Sequence, residues 1–145
     1  MKALIDTCIV IDVLQDRQPF AHDAQSVFLS AANKQFDGFL TANCMTDIDY
    51  LTHRKTHSDE KTRQILNKLL CLFDLLDTTA MDCRRALLSG MTDYEDAVMV
   101  ESAVRCNLDC IVTRNVKDYE RALLPVYTPG EFLSCITSSD EDSLV

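Results

Sequence analysis

Short apolar runs alternating with stretches of helical periodicity constrain this chain more than any other feature of its sequence. Ala3-Leu4-Ile5 is uninterrupted and ends at Asp6, Cys110-Ile111-Val112-Thr113 is a second such run, residues 38–41 and 72–76 offer two more, and Pro125-Val126-Tyr127 a short fifth. Runs that are apolar on both faces read as strands of a parallel sheet covered on both sides. Between them Ala24, Val27, Phe28, Ala31 and Ala32, then Ile65, Leu66, Leu69 and Leu70, then Ala97, Val100, Ala103 and Val104 recur at the spacing of a buried helix stripe. Cys44, Ile48 and Leu51 mark a further helix over about 43–53. Alternation kept over the whole length predicts an α/β fold, a three-layer α/β/α sandwich with a central, mostly parallel five-stranded sheet. Residues 1–136 form one domain. Residues 137–145 carry three acids and no base, and form an acidic tail expected to be disordered.

Local punctuation agrees with this division. Thr7 is placed to cap a helix ending near Leu14, and Asp16-Arg17-Gln18-Pro19 breaks it. Ser58 opens the long helix, and Thr79 with Asp82 resembles a capping box whose acid is Asp in place of Glu. Asp93 opens the next helix and Asn107 suits a left-handed C-cap. Asn115 is expected to cap a helix to about Leu123, and Thr128-Pro129-Gly130-Glu131 combines a cap, a proline at the first helical position and an acid at the third.

Composition excludes several chemistries. The only glycines are Gly38, Gly90 and Gly130, so no dinucleotide fingerprint, Walker A loop or kinase-type glycine loop can be built. Seven cysteines without a C-x-x-C read as reduced core thiols of a cytoplasmic protein. No uncharged apolar stretch approaches the roughly 18 residues of a membrane span. His53 and His57 are four apart, but Thr56-His57-Ser58 reads as a turn, which argues against a histidine metal site. A formal net charge of −9 argues, in bulk, against nucleic acid as a partner.

In open parallel sheets ligands bind outside the carboxyl ends of the strands, and acids gather there. Asp6 ends the first strand, the second leads into Asp47 and Asp49, the fourth ends at Thr113 with Asn115 and Asp118 beyond, and Asp93 and Asp96 share a helical first turn. Acids in a first turn are favoured by the helix dipole alone, by about 0.3–1 kcal/mol, so Asp93, Asp96 and Asp118 also read as ordinary caps. Asp6 is different, because desolvating an unpaired carboxylate is costly and a cation must compensate. Lys2 and Arg114 are the only bases nearby in sequence, and neither has an evident claim on all of these acids. A hard divalent cation has one, since Mg²⁺ is held by one or two carboxylates, waters and phosphate oxygens. A phospho-acceptor receiver requires a lysine ending the fifth strand, and a haloacid-dehalogenase phosphatase requires Asp-x-Asp after the first. Tyr127 and Asp6-Thr7-Cys8 fail these requirements.

Leu4-Ile5-Asp6-Thr7, Thr46-Asp47-Ile48, Asp93-Tyr94-Glu95-Asp96-Ala97 and Val112-Thr113-Arg114-Asn115-Val116-Lys117-Asp118-Tyr119 resemble, in order, the acidic motifs of the PIN domain, the fold of VapC-like toxin ribonucleases. The resemblance covers about residues 1–136. It implies a Mg²⁺- or Mn²⁺-dependent endoribonuclease that hydrolyses RNA phosphodiester bonds to a 5′-phosphate and a 3′-hydroxyl, as the toxin of a toxin–antitoxin pair. Carried over, Asp6, Asp47 and Asp96 match the central catalytic and metal-binding acids and Asp118 a further one, with Thr7, Asp93, Thr113 and Asn115 in supporting positions. Two positions depart from the pattern: Asp47 stands where Glu is usual and Asn115 where Asp is frequent, which keeps open a PIN-fold module that binds metal or RNA without turnover. Relatives of this type are held by a small antitoxin protein and often form homodimers.

RNA also has to be attracted. Residues 54–68 contain Arg54, Lys55, Lys61, Arg63 and Lys68 against Asp59 and Glu60, and Arg54, Lys55, Lys61 and Arg63 are the candidate RNA-contacting arm. Setting aside the tail acids and the five candidate pocket carboxylates leaves the chain close to neutral. On this reading the acid excess is local and calls for a cation first and RNA second.

Overall fold

Strand β1 (Lys2–Ile5) is the centre of the sheet, and its neighbours follow from its burial on both faces. The computed structural model describes residues 1–143. Five parallel strands run in the order β3-β2-β1-β4-β5, with β2 at Asp37–Thr41, β3 at Asp74–Leu76, β4 at Cys110–Val112 and β5 at Val126–Tyr127. Leu4 lies opposite Phe39 on one side and Ile111 on the other.

Successive side chains of a strand point to opposite faces, and here each face meets its own helices. Ala3, Ile5, Leu40, Cys110 and Val112 pack on α1 (Thr7–Leu14), α2 (Ala21–Ala32), α3 (Cys44–Thr56), α4 (Asp59–Leu72) and α7 (Pro129–Ser143), through Ile9, Val27, Ile48, Leu69 and Phe132 among others. Leu4 and Ile111 point the other way, onto Met99, Val100 and Ala103 of α6 (Tyr94–Arg105), against which α5 (Ala80–Ala86) packs in turn. The three-layer α/β/α architecture read from the sequence is therefore the observed one. Among the described residues no helix is long and apolar enough to cross a membrane, and all seven cysteines are free thiols.

Two ion pairs, each on a buried aspartate, join neighbouring elements. Asp82 is 1% exposed and accepts hydrogen bonds from the Thr79 amide (3.0 Å), Ser102 Oγ (3.0 Å) and Arg105 Nε (3.0 Å), so the capping box of α5 is also the joint between α5 and α6. Burial pushes its carboxyl up, but the bonds from Arg105, the Thr79 amide and Ser102 outweigh it and hold the pKa at about 2. Asp12, fully buried in α1, accepts Arg114 Nε at 2.7 Å, and the guanidinium lies 4.4 Å from the centre of the Phe20 ring.

Three local expectations are corrected. Asp6, with extended backbone, is the N-cap residue of α1, and Thr7 is the first helical residue; its hydroxyl caps nothing and has no hydrogen-bond partner. The helix expected from Asn115 to about Leu123 is only a 3-10 turn, Val116–Tyr119: the Asn115 side chain makes no cap bond, and the chain must turn back to enter β5 at Val126. Helix α7 runs to Ser143, through residues 137–143 of the tail expected to be disordered. No helix breaker follows Gly130 there, and the Thr137, Ser138 and Ser139 hydroxyls bond back to carbonyls four residues earlier. The last two tail residues lie outside the described residues.

Gly38 shows how closely α4 and β2 meet. A Cβ there would stand 2.5 Å from Cδ1 of Phe73, itself buried and edge-on to Phe28 at 5.1 Å between ring centres. Gly38→Ala is expected to lower the unfolding free energy by about 1–3 kcal/mol through overpacking. Urea denaturation checks this, and an unchanged midpoint would contradict the packing described.

Candidate active site

Burial of β1 delivers Asp6 to the carboxyl edge of the sheet, where α1 starts. The residue is 7% exposed, its amide donates to the Val112 carbonyl (3.0 Å), and its side chain is held rather than free. Asp6 Oδ2 accepts Thr113 Oγ1 at 2.7 Å, the Tyr119 hydroxyl at 3.1 Å and Cys8 Sγ at 3.5 Å. Thr113, fully buried just past β4, is oriented in turn by the Asn115 amide, which donates to its Oγ1 at 3.1 Å. Burial first, and the Asp6 charge second, push the Cys8 thiol up to about 12, so it stays protonated and can only donate.

The second carboxylate comes from α6. Asp93 caps that helix by accepting the Asp96 amide at 2.9 Å, which sets Asp96 in the first turn facing β1. Asp96 Oδ1 lies 3.0 Å from the same Tyr119 hydroxyl, whose single proton the two carboxylates share. Burial and the charge of Asp6 raise the Asp96 pKa to about 6 against the Tyr119 hydrogen bond, with Asp93 and Asp118 adding to the rise. Glu95, on the same turn, is raised to about 7 by desolvation, then by a hydrogen bond and charge interaction with Asp47 and by the charges of Asp93 and Asp96. Burial and the two aspartate charges hold the Tyr119 phenol far above its ordinary range, so it is a permanent donor.

No base answers these acids. The ion pairs among the described residues are His22–Asp23, His53–Asp59, Arg105–Asp82 and Arg114–Asp12, and none includes Asp6, Asp47, Asp93, Asp96 or Asp118. Asp6 and Asp96 meet on one hydroxyl without an ion-pair partner, and two carboxylates of this kind are hard oxygen donors that fit Mg²⁺ or Mn²⁺. Among the described residues no group of three or more His, Cys, Asp or Glu is drawn together closely enough to hold a metal ion. Asp6 and Asp96 alone meet the one or two carboxylates that Mg²⁺ takes when waters and substrate phosphate complete its shell.

The remaining sequence-predicted residues fall around this pair. Asp47 is exposed in the first turn of α3, where it adds to the rise of the Glu95 pKa. Asp118 is exposed on the 3-10 turn, where it lines a shallow pocket of about 260 Å³ with Lys117, Arg121 and Gly90. Thr7 contributes an unpartnered hydroxyl at the start of α1, and Asn115 contributes its backbone amide while its side chain is exposed. Arg54, Lys55, Lys61 and Arg63 are all exposed at the turn between α3 and α4, with Arg54 5.7 Å from the Tyr50 ring centre. Helical rise puts Arg54 roughly 10 Å along α3 from Asp47.

Sequence reasoning missed Tyr119, Glu95 and Cys8. Glu95 had a signal, as the third acid of one helical first turn beside Asp93 and Asp96. Tyr119 had none, because a tyrosine after a polar turn reads as core, and its ring is indeed core.

Proton linkage gives a test that needs no substrate. The folded pKa values of Asp96 and Glu95 lie above the ordinary 3.8 and 4.5, so between those limits the folded state binds protons that the unfolded chain has released. Their contribution is therefore present at low pH and lost as pH rises through about 6 to 7. In EDTA the urea midpoint is expected to be higher at pH 5 than at pH 8, with a smaller difference in Asp96→Asn; an equal difference in both proteins would contradict the assignment.

A family model described as PIN domain matches residues 2–117. No curated protein matches the chain. Similar solved structures include a toxin–antitoxin complex from Klebsiella pneumoniae (22% identity, TM-score 0.65, covering 88% of this chain and 97% of that one). DNA-bound VapBC from Salmonella typhimurium aligns at 15% identity and a TM-score of 0.67, over 89% and 98% of the two chains. VapC20 of Mycobacterium tuberculosis, described as a sarcin-ricin loop cleaving toxin, aligns at 12% identity and 0.59, over 75% and 86%. At these identities the likeness is one of fold. The family match spans the strand that delivers Asp6 and the helix that delivers Asp96 and ends within the turn after β4, and this chain belongs to the PIN domain family.

Proposed function

We propose that the protein is a metal-dependent endoribonuclease that hydrolyses RNA phosphodiester bonds at a Mg²⁺ or Mn²⁺ site, as the toxin of a toxin–antitoxin pair. The observation that carries this reading is the meeting of Asp6 and Asp96, from elements far apart in the chain, on one hydroxyl with no base to neutralise them. Asp6 and Asp96 hold the cation, with Asp47 and Asp118 as further acids at the rim. Bound there, a divalent cation polarises a phosphodiester oxygen and lowers the pKa of a water suited to in-line attack. Thr113 and the Asn115 amide keep Asp6 oriented, Asp93 keeps the first turn of α6 in place, and Thr7 supports the start of α1 beside Asp6. The basic turn between α3 and α4 engages the RNA backbone on the Asp47 side.

Similar structures described as toxin–antitoxin complexes support an antitoxin as the natural partner, and a homodimer is proposed with it on the family resemblance. The shorter arm of Asp47 and the neutral Asn115 support a second reading, a PIN-fold module that binds metal or RNA without turnover.

Purified protein incubated with structured RNAs in Mg²⁺ or Mn²⁺ is expected to cleave them, to stop in EDTA, and to lose at least about 100-fold in rate in Asp6→Asn and Asp96→Asn. Cleavage that survives both substitutions would sink the assignment, and metal-dependent RNA binding without cleavage would establish the second reading. For the basic turn, Lys61→Glu with Arg63→Glu should weaken RNA binding and lower the slope of log K against log salt by about 2. An unchanged slope would remove that turn from the RNA path.

A further inference from the structure

Tyr119 is nearly unexposed, at 2%, and its ring is packed with Leu4, Met99, Val100, Leu108 and Ile111. A ring so enclosed cannot swing, so the place of its hydroxyl is set by the core rather than by the acids. That hydroxyl stands 3.1 Å from Asp6 Oδ2 and 3.0 Å from Asp96 Oδ1. It thus occupies one oxygen of each carboxylate. On Asp6, Thr113 and Cys8 crowd onto the same oxygen, Oδ2, and no side-chain donor is found on Oδ1. On Asp96, Oδ2 is likewise left without one.

From this geometry we propose that Tyr119 is a positioning residue. Its core-anchored hydroxyl sets the separation of Asp6 and Asp96 and turns one free oxygen of each toward a shared divalent cation. The inference rests on the metal-site reading above and deepens it. Hydrogen bonds that orient ligating carboxylates raise metal affinity, and their removal typically costs on the order of 10–100-fold. The hydroxyl lies within hydrogen-bond distance of both carboxylates and its single proton is shared between them, so its loss removes a restraint common to both. Thr113 still restrains Asp6, whereas Asp96 keeps no side-chain donor.

Mn²⁺ binding to the full-length protein, followed by the EPR signal of free Mn²⁺, tests this without reference to activity. Tyr119→Phe retains the ring and removes only the hydroxyl. Its Mn²⁺ dissociation constant is expected to rise about 10–100-fold, with a urea midpoint in EDTA near that of wild type. Tyr94→Phe is the control: its hydroxyl donates to the Cys83 carbonyl (2.8 Å), so removing it takes away a hydroxyl at the start of α6 that touches neither acid and is expected to leave the constant unchanged. Wild-type binding with Tyr119→Phe within twofold of it, or tighter, overturns the positioning role and leaves the metal site standing. Absence of Mn²⁺ binding in wild type overturns both. In a Mn²⁺-loaded wild-type crystal the Tyr119 oxygen should remain within hydrogen-bond distance of both carboxylates, and its departure from either would also overturn the proposal.

Discussion

A carboxylate taken almost out of water at the junction of β1 and α1 is the constraint around which the carboxyl edge of this sheet is arranged. Asp6 cannot be moved to solvent without withdrawing β1 from the centre of the sheet, so its charge must be answered where it stands. The chain answers it with dipoles, namely the Thr113 hydroxyl, the Tyr119 hydroxyl and the Cys8 thiol, and then adds Asp96 on the other side of the same tyrosine. Hydrogen bonds from neutral donors soften a buried charge but do not cancel it. Burial of Asp96, and then the charge that remains on Asp6, raise the Asp96 pKa.

The bases that might have cancelled it are committed elsewhere. Arg114 is only one residue beyond Thr113, yet it turns to the opposite layer and is locked on Asp12 and over Phe20. Arg105, at the far end of α6, is spent on the joint between α5 and α6. Each aspartate is itself buried, and removing its arginine would leave an unpaired charge at a cost of several kcal/mol. The scaffold thus consumes its nearby arginines in architecture and leaves Asp6 and Asp96 without an ion-pair partner among the described residues.

The fold was legible because its signals are local and repeated. Apolar runs, helix stripes, the Thr79–Asp82 box and the Thr128–Glu131 start each act within a few residues, and the observed elements follow them closely. Errors arose where a local signal met a tertiary demand. Asn115 offers a cap, but the return to β5 leaves room only for a 3-10 turn; Thr7 offers a cap, but the extended backbone at Asp6 takes that position. Acidic composition over 137–143 suggested disorder, while hydroxyls bonding back along α7 belong to a helix that continues.

What the sequence determined by itself was the parallel α/β sandwich, with Asp6 at the end of its first strand and Asp93 and Asp96 at one helix start, because strand polarity and helix starts are written in runs and spacings that need no distant partner. What only the tertiary structure decided was which of those acids meet, and through what. Asp6 and Asp96 are joined by a tyrosine that reads in sequence as core, and Arg114 is drawn away to a buried Asp12. These are contacts between residues far apart in the chain, set by how strands and helices pack, and no periodicity along the chain encodes them.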